Sequence, residues 1–498
     1  MCLPIKKTHA LLLCIALIPS LLFLGIKATN PYGWDNWGFG SAQTMLTIRY
    51  WARDGFIPHK LLFIPSGYSP YIQLLDTPQF RFLSNGIKTG GLIGPRLYYT
   101  HYPSGYLVPF GVLAKLGIEE RVWFRLLAIL ISAIGACFLY GFVYLLTDKN
   151  KWIAFVATVY YVTSTTFLGY ADSLANMPID DLLKYAILFS SIYSEHSKKY
   201  IWPLFFILSL SSYDSTLFVA FWLCALHIIE TKKLHFRYYA YIISAPAIAF
   251  GIQLLQNWWY LGTKDMFLDM LGAFTFRASE IPPVLQSVPP LLQKLFATLS
   301  TLGYLTDLRT RTALPLLLLL IPTLYYMKKI SSSLALRLST LGIGGLLYGY
   351  IVPIAGTFGY QGRQVAPFLL IIIGIATYTC ILTIKNSHYT SSTLLVSLLI
   401  IVIWGAHALG TARYIHAWPN SIVPQSQIQE WKELSKGTDH STIILGPARK
   451  VGTGFELFFA QVYTDRLMLP FINEETAIYY YSKLRAALPD SAHLLLVQ

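Results

Sequence analysis

Residues 30–58 read NPYGWDNWGFGSAQTMLTIRYWARDGFIP and follow directly on the first hydrophobic run of the chain. Asp35 stands between Trp34 and Trp37. From about Ser41 to Asp54 there is neither Gly nor Pro, as a helix requires. Met45, Ile48, Trp51 and Ala52 fall at helical spacing, and Arg49 and Arg53 sit one turn apart. Such a helix can lie on a membrane surface with its apolar side down and its basic side toward the headgroups. An acid is thereby expected at the water–lipid boundary beside a basic helix. The plain reading of Asp35 is a solvated loop carboxylate. Tethering by the preceding span and the following helix favours a chemical role instead, as a base that takes a proton from a hydroxyl.

Outward from this stretch, the composition is that of a membrane protein. The 498 residues are 55% hydrophobic and 12% charged, where a soluble domain carries roughly 25% charged residues. The formal net charge of +14 comes largely from short Lys/Arg clusters between apolar runs, which set topology. No zinc-finger or basic-helix pattern occurs, so nucleic acid is discounted as a partner. Of the five cysteines, four lie inside apolar runs and none forms a CxxC, so no disulfide framework is expected. The first apolar run, about Ala10 to Ile26 after Lys6 and Lys7, has no small-x-small cleavage site and is expected to stay as an anchor.

Further spans are expected at Val122–Leu146, Trp152–Tyr170, Pro178–Ile192, Tyr238–Leu255, Leu314–Tyr326, Leu338–Ile354, Ala366–Ile384 and Thr393–Leu409. Two short runs, Tyr200–Leu210 and Thr216–Ile229, form a thin hairpin. This makes an all-α polytopic domain over 1–410 with about eleven transmembrane helices. The positive-inside bias places the loops 27–120 and 256–311 outside the cytosol, together with the tail 411–498. That tail alternates strand-like and helix-like segments and reads as a small extracytoplasmic α/β domain.

Four other places carry candidate chemistry. In LYYTHYPSGYLVPFGVLAK (97–115), Tyr98, Tyr99, Tyr102 and Tyr106 suit sugar stacking or headgroup contact. His101 of the same stretch is either a loop histidine or, if neutral, a metal ligand and, if protonated, a phosphate contact. In YADSLANMPIDD (170–181), Asp180 reads as an N-cap, and Asp172 is open to a metal, an Arg or a sugar. In YQGRQVAPFL (360–369), Arg363 is the one basic residue of an outer loop, suited to a phosphate fork or to snorkelling. Asp214 in SSYDS reads as a turn solvator.

These elements, in this order, resemble the GT-C class of integral-membrane glycosyltransferases. The resemblance is to the bacterial branch of the protein O-mannosyltransferase and aminoarabinose-transferase superfamily. Its residues are Asp35 near the start of an outer loop, the AQT-containing helix with Gln43, and Ala52-Arg53 followed by Gly55. The Tyr-rich, Pro-containing stretch, the second span with Arg125, and Arg363 with Pro367 complete it. Many members have Asp-Glu where this chain has Asp35-Asn36, and Glu-Lys where it has Thr100-His101.

The resemblance implies a polyprenyl-phosphate-linked sugar donor, a lipid, glycan or protein acceptor, inversion at the sugar carbon, and Asp35 as catalytic base. It puts Arg363, His101 and Arg53 at the donor phosphate, and Asp172, Tyr102, Tyr99 and Gln43 at sugar or acceptor. A divalent metal is a further expectation, for which no ligand set has diagnostic spacing. The expected location is a bacterial inner membrane with the site facing outward. The rivals are a flippase or transporter of lipid-linked glycans, which would bury charge in mid-span, and a glycan polymerase.

Overall fold

The computed structural model describes residues 7–75, 98–279, 330–351, 361–386, 391–418, 423–452 and 455–497, with isolated residues between 286 and 324. Helix α1 (Lys7–Thr29) is followed by α2 (Gly38–Asp54), a short α3 (Val108–Lys115) and the long α4 (Arg121–Leu146). After a turn through the left-handed residues Asp148 and Lys149, the Asn150 side chain accepts from the amides of Trp152 and Ile153 and so starts α5 (Lys151–Val162). Ser164 then caps a new helix, α6 (Thr165–Tyr170). The chain goes on through α7 (Met177–Tyr193), α8 (Ile201–Ser209), α9 (Tyr213–Thr231) and α10 (Phe236–Leu261). It continues with α11 (Thr263–Ser279), α12 (Ser332–Ile351), α13 (Ala366–Lys385) and α14 (Ser391–Ala417).

Among the described residues, seven helices are long and apolar enough to cross a membrane: α1, α4, α9, α10, α12, α13 and α14. The fold is the expected polytopic helical one, but several spans differ from the reading. The expected third span is two helices, because Ser164 accepts from the Phe167 amide and restarts the ladder. The thin hairpin resolves into a nine-residue α8 and a full-length α9, because Ser212 caps α9 and draws Asp214 into its first turn. The span expected at Leu314–Tyr326 lies outside the described residues. Small residues allow close packing inside the bundle. A Cβ on Gly135 of α4 would lie 3.2 Å from the Leu182 backbone of α7, and one on Gly374 of α13 would lie 3.0 Å from the Ile153 carbonyl oxygen.

The last span runs on to Ala417, past the boundary expected at 410. The C-terminal unit comprises α15 (Gln425–Leu434), β1 (Ile443–Pro447), α16 (Phe455–Thr464), β2 (Leu467–Phe471), α17 (Glu474–Ala487) and β3 (Leu494–Leu496). Its strands form a parallel sheet in the order β2-β1-β3. Alternation sends Ile443, Leu445, Leu467 and Leu469 to one face, where they pack with Tyr50, Leu62, Ile64 and Tyr98 of the first loop. Ile444 and Met468 face the other way, onto Trp431, Val451 and Leu457. The unit therefore shares a core with the first loop.

That docking overturns the surface-helix expectation for α2. Most of α2 is buried, and its basic side faces protein instead of headgroups. Arg49 lies 3.0 Å from Asp465 and donates to the Val462 carbonyl, and Arg53 pairs with the same carboxylate. A carboxylate in reach of two guanidinium groups binds them more strongly than solvated headgroups do.

Candidate active site

Lys27 at the end of α1, Arg125 on α4 and Asp172 in the turn after α6 meet in an ion triad that is at most 1% exposed. Lys27 Nζ donates to Asp172 Oδ1 and to the Leu168 carbonyl, each at 2.9 Å. Arg125 Nε donates to Asp172 Oδ2 at 3.0 Å, and its Nη1 donates to the carbonyls of Gly33 and Ala28. Burial alone would raise the Asp172 pKa, but Lys27 and Arg125 outweigh it and hold the carboxyl below its ordinary value. Of the three roles open to Asp172, the structure shows the ion pair with an Arg. The carboxylate expected at sugar or acceptor is spent on pinning two loops together.

One of those loops carries Asp35. Its Oδ1 accepts the Trp37 amide at 2.7 Å and its Oδ2 accepts the Ser41 hydroxyl at 2.6 Å. Ser41 Oγ in turn accepts the Leu174 amide at 2.9 Å and lies 3.2 Å from Ser173 Oγ. A carboxylate has about four lone-pair sites, so two bonds leave Asp35 able to accept a proton. Burial, and then the charge of Asp172, push its pKa above the ordinary aspartate value. Trp34 beside it is gripped from the C-terminal unit: its Nε1 donates to Tyr463 Oη at 3.1 Å, and its ring lies 4.9 Å from that of Phe459. The Arg121 guanidinium covers Trp34 at 4.1 Å. Gln43 lies buried on α2, two residues beyond Ser41.

The turn through Ser173 leads to a second polar group. Asn176 Nδ2 donates to Tyr102 Oη at 2.8 Å, and that hydroxyl donates to Asp214 Oδ1 at 3.2 Å. Gln364 Nε2 donates to Asp214 Oδ2 at 2.7 Å. Arg363 pairs with Asp180 and lies 3.6 Å from Asp214. The N-cap reading of Asp180 is thereby corrected: Asn176 holds the cap position of α7, and Asp180 lies one turn in, facing Arg363. Asp214, read as a turn solvator, is buried against a guanidinium, an amide and a phenol.

His101 forms a third group with Thr100. Asp269 of α11 takes the Thr100 hydroxyl at 2.5 Å and lies 2.9 Å from His101 Nε2. Asn257 of α10 donates to the Thr100 carbonyl at 2.9 Å. The Tyr99 ring lies 5.5 Å from His101, and its amide donates to the Phe63 carbonyl. Arg53, expected at the donor phosphate, is instead part of the docking of the C-terminal unit. Lys27, Asn176, Asp269 and Tyr463 are not among the residues the sequence singles out, and Asp214 reads there only as a turn solvator. Asp214, among the serines of SSYDS at a span start, carries a signal of its own; Asp269, in a helix that also holds Lys264, Asp265 and Arg277, carries none.

No group of three or more His, Cys, Asp and Glu among the described residues is arranged to hold a metal ion. At the acid pair Asp180–Asp214, the Arg363 guanidinium already supplies the positive charge.

No protein-family model matches the chain, and no curated protein does. Solved structures do. ArnT from Cupriavidus metallidurans bound to undecaprenyl phosphate superposes with a TM-score of 0.55 at 9% identity, over 99% of this chain and 90% of that one. Its apo structure gives 0.49 at 11%, over 96% and 88%. The oligosaccharyltransferase AglB from Archaeoglobus fulgidus, in complex with an inhibitory peptide and a dolichol-phosphate, gives 0.48 at 13%. This chain spans 64% of the length of that enzyme. Both neighbours are GT-C glycosyltransferases. The chain is an integral membrane protein with the GT-C fold, as the motifs of its first loop imply.

Proposed function

We propose that this protein moves a sugar from a polyprenyl-phosphate carrier to an acceptor hydroxyl, with inversion, on the extracytoplasmic face of a bacterial inner membrane. The observation that carries this is the setting of Asp35: a buried carboxylate with a raised pKa and spare acceptor capacity, at the head of α2. A base in that state can take a proton as a bond forms. The acceptor oxygen attacks the anomeric carbon while its proton passes to Asp35. The bond from that carbon to the phosphate oxygen breaks, and its electron pair leaves on the polyprenyl phosphate.

His101 is the candidate for the leaving phosphate. Asp269 fixes its ring through Nε2 and leaves Nδ1 for a second partner. Tyr99 and Tyr102 would frame the sugar, with Gln43 near the acceptor. The flippase alternative is disfavoured by where the buried acids lie: Asp180 and Asp214 sit in the first turns of α7 and α9 and are paired there. The test is incubation of purified protein with a panel of polyprenyl-phosphate sugars and acceptors. Release of polyprenyl phosphate by the wild type is expected, and its absence across the panel would refute the reading.

A further inference from the structure

We propose that Tyr102 and Asn176, backed by Asp214, Arg363 and Asp180, form a subsite for the hydroxyls of an uncharged sugar ring, and that Arg363 serves this subsite instead of the donor phosphate. This rests on the transferase reading above and says which part of the donor the group receives.

The first argument is charge. The Asp180, Asp214 and Arg363 side chains are at most 4% exposed and together carry one net negative charge. Lys184 does not alter the balance, because Asp181 lies 2.5 Å from its ammonium. A phosphate diester would add a like charge in a medium that screens poorly. Hydroxyls bring no net charge, and each both donates and accepts.

The second argument is unused hydrogen-bonding capacity. Arg363 Nε and Nη1 and Asp180 Oδ1 are buried and make no hydrogen bond among the described residues. Asn176 uses one amide N–H on Tyr102, and among the described residues its side chain forms no other hydrogen bond. Buried donors and acceptors left unpaired are costly. Here donors and acceptors lie side by side, the arrangement that pairs of neighbouring ring hydroxyls satisfy. The third argument is position. Asn176 lies three residues from Ser173, which touches the serine that holds Asp35. A ring on Tyr102 and Asn176 is thus connected to the base through one short turn.

The experiment uses the full chain in lipid nanodiscs and two kinds of probe: undecaprenyl phosphate, and undecaprenyl phosphate carrying each of a panel of neutral hexoses and pentoses. Asp180→Asn and Tyr102→Phe keep shape and spare the guanidinium, and thermal unfolding verifies that they fold. In the wild type, at least one sugar should strengthen binding over the bare lipid. Both variants should weaken binding of that sugar-lipid by about tenfold, the size of a lost hydrogen bond to a charged group. Binding of the bare lipid should stay within about twofold, well below that loss.

A bare-lipid affinity that moves as far as the sugar-lipid affinity in Asp180→Asn would return Arg363 to the phosphate. Unchanged binding of both probes would mean that water alone satisfies these groups, and would refute the subsite. If the wild type binds bare lipid but gains nothing from any sugar, the subsite fails while the lipid-phosphate reading stands. If it binds no lipid at all, both fail.

Discussion

The proposed role of Asp35 as a base requires the ionised carboxylate, so activity should be lost as the pH falls through its pKa. Burial and Asp172 raise that pKa, whereas the Ser41 hydroxyl, Lys27 and Arg125 lower it. The acid limb of kcat should therefore lie above the ordinary aspartate range. Ser41→Ala removes a bond to the anion and should shift the limb to higher pH; a shift to lower pH would contradict the assignment. Asp35→Asn should lower kcat by about 100-fold or more, with donor affinity near wild type, as measured by single-turnover transfer. Normal transfer by this variant would move the base elsewhere on the turn through Ser173.

At the scale of the element, α2 is held between the bundle and the C-terminal unit, and the contact surfaces are specific. Gly67 donates its amide to Gln461 Oε1, and a Cβ there would overlap the Arg466 carbonyl and that same amide oxygen. Gly67→Ala should destabilise the docking by about 1–3 kcal/mol, the usual range for overpacking. Faster hydrogen exchange in α2 and α16 would report it. Asp465 receives Arg49, Arg53 and His440. Asp465→Asn should loosen the same two helices and, through Tyr463 and Trp34, lower kcat more than it raises the donor KM. A variant with tight docking and normal turnover would show that the C-terminal unit has no part in presenting Asp35.

For the whole molecule, Lys27, Arg125 and Asp172 join three segments of the bundle at the base of the site. Removing one partner from a buried ion group costs about 3–5 kcal/mol, so Asp172→Asn should lower the thermal unfolding midpoint in detergent markedly. The folded pKa of Asp172 is depressed, so its contribution to stability is present above the unfolded pKa and is lost as pH falls through the folded one. Loss of stability in acid should accordingly be blunted in Asp172→Asn. The first loop, α11 and the C-terminal unit meet at one end of the bundle, through His101 with Asp269 and Arg53 with Asp465. Reporter fusions at Gly55, Gly262 and Gln498 should all read extracytoplasmic. A cytosolic signal at any one of them would contradict this arrangement.

The sequence by itself determined the membrane class, most helix positions, the alternating C-terminal segments and the placing of Asp35 at the start of a helix. Each of these depends on local periodicity or on a neighbour a few residues away. Only the tertiary structure decided which charges meet. Arg53 and Arg363 look equally suited to phosphate in the sequence, yet Arg53 is taken by Asp465, 412 positions away, and Arg363 by acids on α7 and α9. Asp172 and Asp35 look alike as loop acids, yet one is neutralised by two buried cations and the other keeps spare lone pairs. The physical reason is that a charge in a poorly screening interior takes its role from the opposite charge nearest in space, and that neighbour is set by helix packing across the bundle, not by spacing along the chain.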